Sequence, residues 1–223
     1  MIQYQTLTLI GTSHISPESI ALVRRTIQEV RPSFVALELD KGRLQALLEK
    51  KRKIRWRDVQ KLGVKGFIFA LIGAWVEQKL GKMVGTTPGG EMKTAVIEAG
   101  KINAKVALID QEISITIKKL FRKITWKEKV RFLWDLVKGL FGRGEAIKFD
   151  LRKVPPERVI EKLVAQVKER YPSFYAVLIE ERNEIMARKL HTLMEKHPEE
   201  KIVAIVGAGH EKAIVNLVQK SIS

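Results

Sequence analysis

The strongest constraint on what this chain can fold into is a set of short apolar segments separated by helical patterns. Residues 33–39 (SFVALEL), 105–109 (KVALI) and 201–206 (KIVAIV) are almost wholly apolar. A strand with one wet face alternates polar and apolar residues, whereas a short continuous run predicts a strand buried on both faces, as in a helix-covered parallel sheet. Residues 4–10 (YQTLTLI) alternate imperfectly up to Gly11 and predict the first strand. Ser16, Pro17 and Glu18 then open a helix to about Val30, with Ser16 as N-cap and Pro17 in the first turn. Strands alternating with helices pair in parallel through crossovers, so the expected class is α/β, with a mostly parallel central sheet flanked by helices.

The remaining sequence reads as helical: residues 42–50, 56–82, 91–100, a long stretch over 113–194 and a last helix over 211–219. The long stretch has breaks near 139–144, at Pro155-Pro156 and at Pro172, and GTTPGG at 85–90 is the clearest loop. The expected organisation is one domain over 1–223, with large helical portions at about 42–82 and 113–196. The aromatic residues between Phe121 and Trp134 fall at helical spacing and read as core.

Cysteine is absent, so disulfides and thiolate metal sites are excluded and any metal must use imidazole and carboxylate. The amino terminus shows no secretory signal pattern. The most apolar run, residues 66–76, falls short of the ~20 residues that a spanning helix requires. The formal charge of +16 concentrates in KKRKIRWR at 50–57 and over 118–131. A solvated helix face, attraction to anionic lipid and attraction to nucleic acid all fit that charge. The nucleic-acid reading is the weakest, because no aromatic or groove-reading motif accompanies it.

Ligands of open parallel sheets bind beyond the carboxyl ends of the strands. Those ends read Gly11-Thr12-Ser13-His14, Glu38-Leu39-Asp40, Asp110, and Gly207-Ala208-Gly209-His210. The chain has 4 histidines, and two of them occupy matching Gly-x-x-His turns near its two ends. A glycine lets the backbone bend sharply, so each imidazole can swing over the sheet rim. Two imidazoles with carboxylates suit zinc, manganese, cobalt or iron(II). A Gly-Ala-Gly turn before a helix also suits a phosphate.

Arg182 lies inside the apolar stripe formed by Leu178, Ile179, Ile185 and Met186. A buried guanidinium needs a carboxylate, here Glu38 or Asp110, or a substrate oxyanion; otherwise its long stem must snorkel to the surface. Arg43 sits one turn into the helix after the second strand. Glu91 follows the Pro-Gly-Gly loop, where a helix dipole also favours a carboxylate.

GTSHISPES, VALELDKGR, the PGGEM loop, ITIKKLF, ERNEIMA and VGAGH, in that order from Gly11 to Ile214, resemble the motifs of TraB/PrgY/GumN proteins. The resemblance implies an erythromycin-esterase/ChaN-like fold and relation to the TIKI metalloproteases, which use manganese or cobalt. It matches His14 and His210 to the paired Gly-x-x-His residues, Glu38 and Arg43 to the acidic and basic residues after the second strand, Glu91 and Asp110 to acidic residues of the middle blocks, and Arg182 and Asn183 to the arginine–asparagine pair. Such proteins usually carry Asp-Arg after the third strand, whereas this chain has Asp110-Gln111. The resulting expectation is a metal-dependent hydrolase, most simply a peptidase. In it His14, His210, Glu91 and Asp110 hold a divalent manganese, cobalt or zinc ion, and Glu38, Arg43, Arg182 and Asn183 serve catalysis. The alternative is a non-catalytic peptide-binding or membrane-tethering module, with basic helices against an anionic membrane. Archaeal relatives often continue into membrane segments, so a cytoplasmic-face domain of a longer protein is expected, with homo-oligomerisation left open.

Overall fold

The computed structural model describes residues 1–13, 16–49, 89–140, 154 and 156–222. His14 and the helix expected over 56–82 lie outside them. The strands are β1 (Ile2–Tyr4), β2 (Leu7–Thr12), β3 (Phe34–Leu37), β4 (Lys105–Leu108) and β5 (Ile202–Gly207). They form one 5-stranded sheet in the order β1-β2-β5-β3-β4. Apart from β1, which runs antiparallel to β2, the strands are parallel. The expectation of a mostly parallel α/β sheet is met.

One strand departs from expectation. The single strand expected over 4–10 is interrupted by a turn, because Gln5 takes a positive φ of 49° and folds β1 back onto β2.

The helices are α1 (Pro17–Val30), α2 (Lys41–Leu48), α3 (Gly90–Lys101), α4 (Ile113–Lys123), α5 (Trp126–Leu140), α6 (Glu157–Arg170), α7 (Pro172–Tyr175), α8 (Glu181–Lys196) and α9 (Glu211–Ile222). Ser16 caps α1 as expected, its hydroxyl accepting from Ser19 N at 3.4 Å. Strands β2, β3 and β5 are covered on both faces, whereas β4, at the sheet edge, is exposed at Lys105 and Val106, against the expectation of burial on both faces. Leu7, Leu9, Ala36, Ile202, Ala204 and Val206 pack under α8 and α9. Ile10, Val35, Leu37, Val203 and Ile205 pack under α1 and α3. Two-sided burial is what removes the polar alternation from these sequences.

Two features of the helical region escape the sequence. A π-helical turn (Ala176–Glu180) joins α7 to α8, with Glu181 N bonded to Ala176 O. Such turns insert an extra residue into a helix and re-aim the residues after it, here Arg182 and Asn183. Thr125 and Glu128 also form a capping box at the start of α5. Glu128 accepts from Thr125 N at 2.9 Å, and Thr125 Oγ1 accepts from Glu128 N at 3.3 Å. The same carboxylate accepts from Ser173 N at 2.7 Å, so it caps α7 as well.

Burial opposes ionisation of Glu128, but its bonds to Ser173 and Thr125 prevail and hold it at about 2, against an ordinary 4.5. Its stabilisation is therefore complete above the ordinary value and lost as pH falls through about 2. Glu128→Ala should cost about 2 kcal/mol near neutrality. Urea melts of both proteins should show the difference shrinking between pH 4.5 and pH 2.

The core reading of the aromatic residues between Phe121 and Trp134 requires correction. Phe132 stacks on Phe174 with ring centroids 5.8 Å apart but is itself 40% exposed, and Trp126 and Trp134 are more exposed still.

Candidate functional site

β5 lies at the centre of the sheet, and its carboxyl end is flanked by those of β2 and β3. Glu38 follows β3 directly, and its backbone N continues the ladder to Ile205 O at 3.1 Å. That register turns its side chain over the end of β5, where it accepts from Gly207 N at 2.6 Å. On the other flank, Ala208 N donates to Thr12 O at 2.8 Å. His210 N donates to Gly207 O at 2.8 Å, closing the turn that presents the imidazole.

Arg182 joins these pieces. Its Nη2 pairs with Glu38 Oε1 and, at 2.6 Å, with Asp110 Oδ2. Its Nη1 donates to Leu178 O, in the π turn, at 3.0 Å. The guanidinium expected inside an apolar stripe is thus paired with both Glu38 and Asp110, and snorkelling does not occur. Burial alone would lower its pKa, but the charges of Glu38 and Asp110 more than offset this and raise it. The start of α8 is held by Glu181, which pairs with Lys119 at 2.7 Å and Lys123 at 2.5 Å on α4.

Arg43 extends the network. Asp40 caps α2 by accepting from Arg43 N at 2.9 Å and also receives Arg43 Nε at 2.8 Å. Arg43 Nη2 reaches Asp110 Oδ2 at 2.5 Å. Burial pushes the Asp110 pKa up, but the hydrogen bonds and charges of Arg182 and Arg43 prevail and hold it below the ordinary aspartate range. Lys189 Nζ donates to the Asp110 carbonyl at 2.6 Å. It lies two turns beyond Arg182 on α8, a spacing through which the sequence could have revealed it.

His210 Nδ1 lies 2.6 Å from Asn183 Oδ1. An amide oxygen can only accept, so Nδ1 donates to it, and Nε2 is left facing the rest of the site. Nε2 lies 3.4 Å from Arg182 Nη1 and 3.6 Å from Glu38 Oε1.

The structure therefore brings together Glu38, Arg43, Asp110, Arg182, Asn183 and His210. Glu91 is buried in the first turn of α3, and none of the bonds above reaches it. Gln111 follows Asp110, and its buried Nε2 has no acceptor among the described residues. An unmet buried donor costs about 1–3 kcal/mol, so such a group calls for a reason.

A model described as the TraB/PrgY/gumN family matches residues 3–221. The chain belongs to that family. It is 36% identical, over 218 residues, to an uncharacterized protein of Methanocaldococcus jannaschii, a match covering 95% of this chain and 53% of that protein. It is 25% identical, over 232 residues, to a human TraB domain-containing protein, covering 92% of this chain and 61% of that protein. The chain thus spans little more than half the length of these relatives. Within the TraB/PrgY/gumN family assignment, the resemblance read from the strand-end motifs is borne out. Among the described residues no helix is long and apolar enough to cross a membrane.

Proposed function

We propose that this TraB-family chain is a metal-dependent hydrolase acting on peptide bonds, with its centre between Glu38 and His210. The observation that carries the reading is the hydrogen bond between His210 Nδ1 and Asn183 Oδ1, which turns Nε2 toward Glu38. Metal-ligating histidines are commonly fixed by such a bond to their other nitrogen.

The spacing of the two side chains suits an ion. Two ligands each about 2.1 Å from one tetrahedral ion stand roughly 3.4 Å apart, close to the separation of this pair. Among the described residues no group of three or more His, Asp or Glu is arranged to hold an ion. A third ligand would come from His14, which follows the end of β2 by two residues in the sequence and lies outside the described residues. Asp110, engaged by two guanidinium groups, suits positioning better than ligation, so Glu38 takes the ligand role expected of Asp110.

Bound there, a divalent ion would supply Lewis acidity toward a carbonyl and would acidify water. Asn183 fixes the imidazole tautomer. Arg182 holds Glu38 and Asp110 in place and lies beside His210, where its charge would steady a developing oxyanion. The unmet amide of Gln111 would donate to a substrate carbonyl next to Asp110.

The test is metal content and cleavage of a peptide library by protein loaded with manganese, cobalt or zinc. The expected result is about one ion per chain and a loss of activity of at least about 100-fold in Glu38→Gln and His210→Ala. Undiminished metal content in a His14→Ala/His210→Ala variant overturns the reading.

A further inference from the structure

Beside the candidate centre lies a cavity of about 810 Å³, within the ~300–1,000 Å³ range of ligand pockets. Helix α1 lines it with Ala21 and Leu22, α6 with Ile160 and Val164, and α9 with Lys212 and Ala213. The sheet rim completes it at Gly11, Ala208 and Gly209. None of Glu38, Arg43, Asp110, Arg182, Asn183 and His210 lines it. Yet Gly209 directly precedes His210, so cavity and centre share one turn.

The space exists because small residues meet there, namely Gly11, Ala21, Ala208, Gly209 and Ala213. Helix α6 shows the same thing from the other side. Ile160 and Val164 stand one turn apart on it and front the cavity, and no residue of this 14-residue helix is buried. An amphipathic helix ordinarily buries its apolar stripe against a core. Here the stripe faces open space.

The charges of the lining are met locally. Lys212 pairs with Glu157 at 3.0 Å and Glu161 at 2.7 Å, and Glu18 accepts from Val154 N at 3.0 Å. The Met1 ammonium lies 2.9 Å from Glu211, and Arg25, the remaining cation, is exposed. Such a lining offers a guest apolar contact rather than a buried ion pair.

We propose that this cavity receives a large apolar side chain of an extended peptide whose backbone passes the Gly209-His210 turn toward the candidate centre. The cavity is then a selectivity pocket. The proposal rests on the hydrolase reading for what happens to the peptide there, and on the apolar lining and the shared turn for its occupant.

The test is fluorescence anisotropy of short capped peptides of serine and threonine carrying one central leucine, phenylalanine or alanine, mixed with the full chain with and without zinc. The leucine and phenylalanine peptides should bind at least about tenfold more tightly than the alanine peptide. Ala21→Trp and Ala213→Phe, on different helices, should each fill the space and cut that preference to below about threefold, with an unchanged circular dichroism spectrum. Should one variant misfold, the other decides. Equal binding of the three peptides by the natural chain, or a preference that survives in a folded variant, overturns the proposal. Oleate binding without any peptide preference would assign the cavity to a lipid instead. Chromatography of the same samples reads cleavage separately, so a side-chain preference without cleavage would contradict the hydrolase reading and leave the pocket standing.

Discussion

Arg182→Met should lower the free energy of unfolding by about 3–5 kcal/mol at pH 7, with the fold retained. The size of the effect comes from the groups left behind. Glu38 and Asp110 are both buried, and methionine would keep the volume of the guanidinium while removing its charge and donors. The pH dependence identifies the cause. In the natural protein Asp110 is held below the ordinary 3.8, so its stabilisation is complete above that value and lost as pH falls through the lowered one. In the variant, burial would be opposed at Asp110 by Arg43 with less help, and the carboxylates would take up protons at higher pH. The stability difference should therefore be widest near neutrality and narrow below about pH 4. Urea melts at pH 7, 5 and 3.5 would show it. A difference that stays constant across that range would mean that the loss is one of packing alone.

Ile205→Ala should be comparably costly, about 2–5 kcal/mol, for an unrelated reason. Ile205 is fully buried on the central strand β5 and packs with Val23, Ile27 and Ala95. Truncation leaves a cavity that neighbouring strands fixed on both sides cannot close. A cavity binds no protons, so this difference should be the same at pH 7 and pH 3.5. The pair of variants separates charge from packing at the same rim, since β5 also leads into Gly207 and His210.

β3 and β5 were legible because burial on both faces leaves a simple trace, an unbroken apolar run, and edge strand β4 carries such a run although Lys105 and Val106 are exposed. Residues 33–39, 105–109 and 201–206 locate β3, β4 and β5 to within one or two residues. The hairpin between β1 and β2 was not legible, because Gln5 is not a residue that announces a positive φ. The Arg182 network was legible in part. A charge inside an apolar stripe demands a partner, and the strand ends supplied Glu38 and Asp110. The bond between Asn183 and His210 depends on where the π turn aims α8, and no local pattern encodes that phase. The aromatic residues of α5 misled for a related reason. Helical spacing reports that side chains share a face, and says nothing about whether that face meets protein or water. Phe132 stacks on Phe174 yet stays partly in water, and Trp126 is largely exposed.

The hydrolase reading is tested most directly by an anomalous-difference map from crystals of the full chain grown with zinc or manganese. A peak is expected at bonding distance, about 2.0–2.2 Å for zinc, from both His210 Nε2 and a Glu38 carboxylate oxygen. A fully loaded crystal whose only peaks lie away from those two side chains would contradict it.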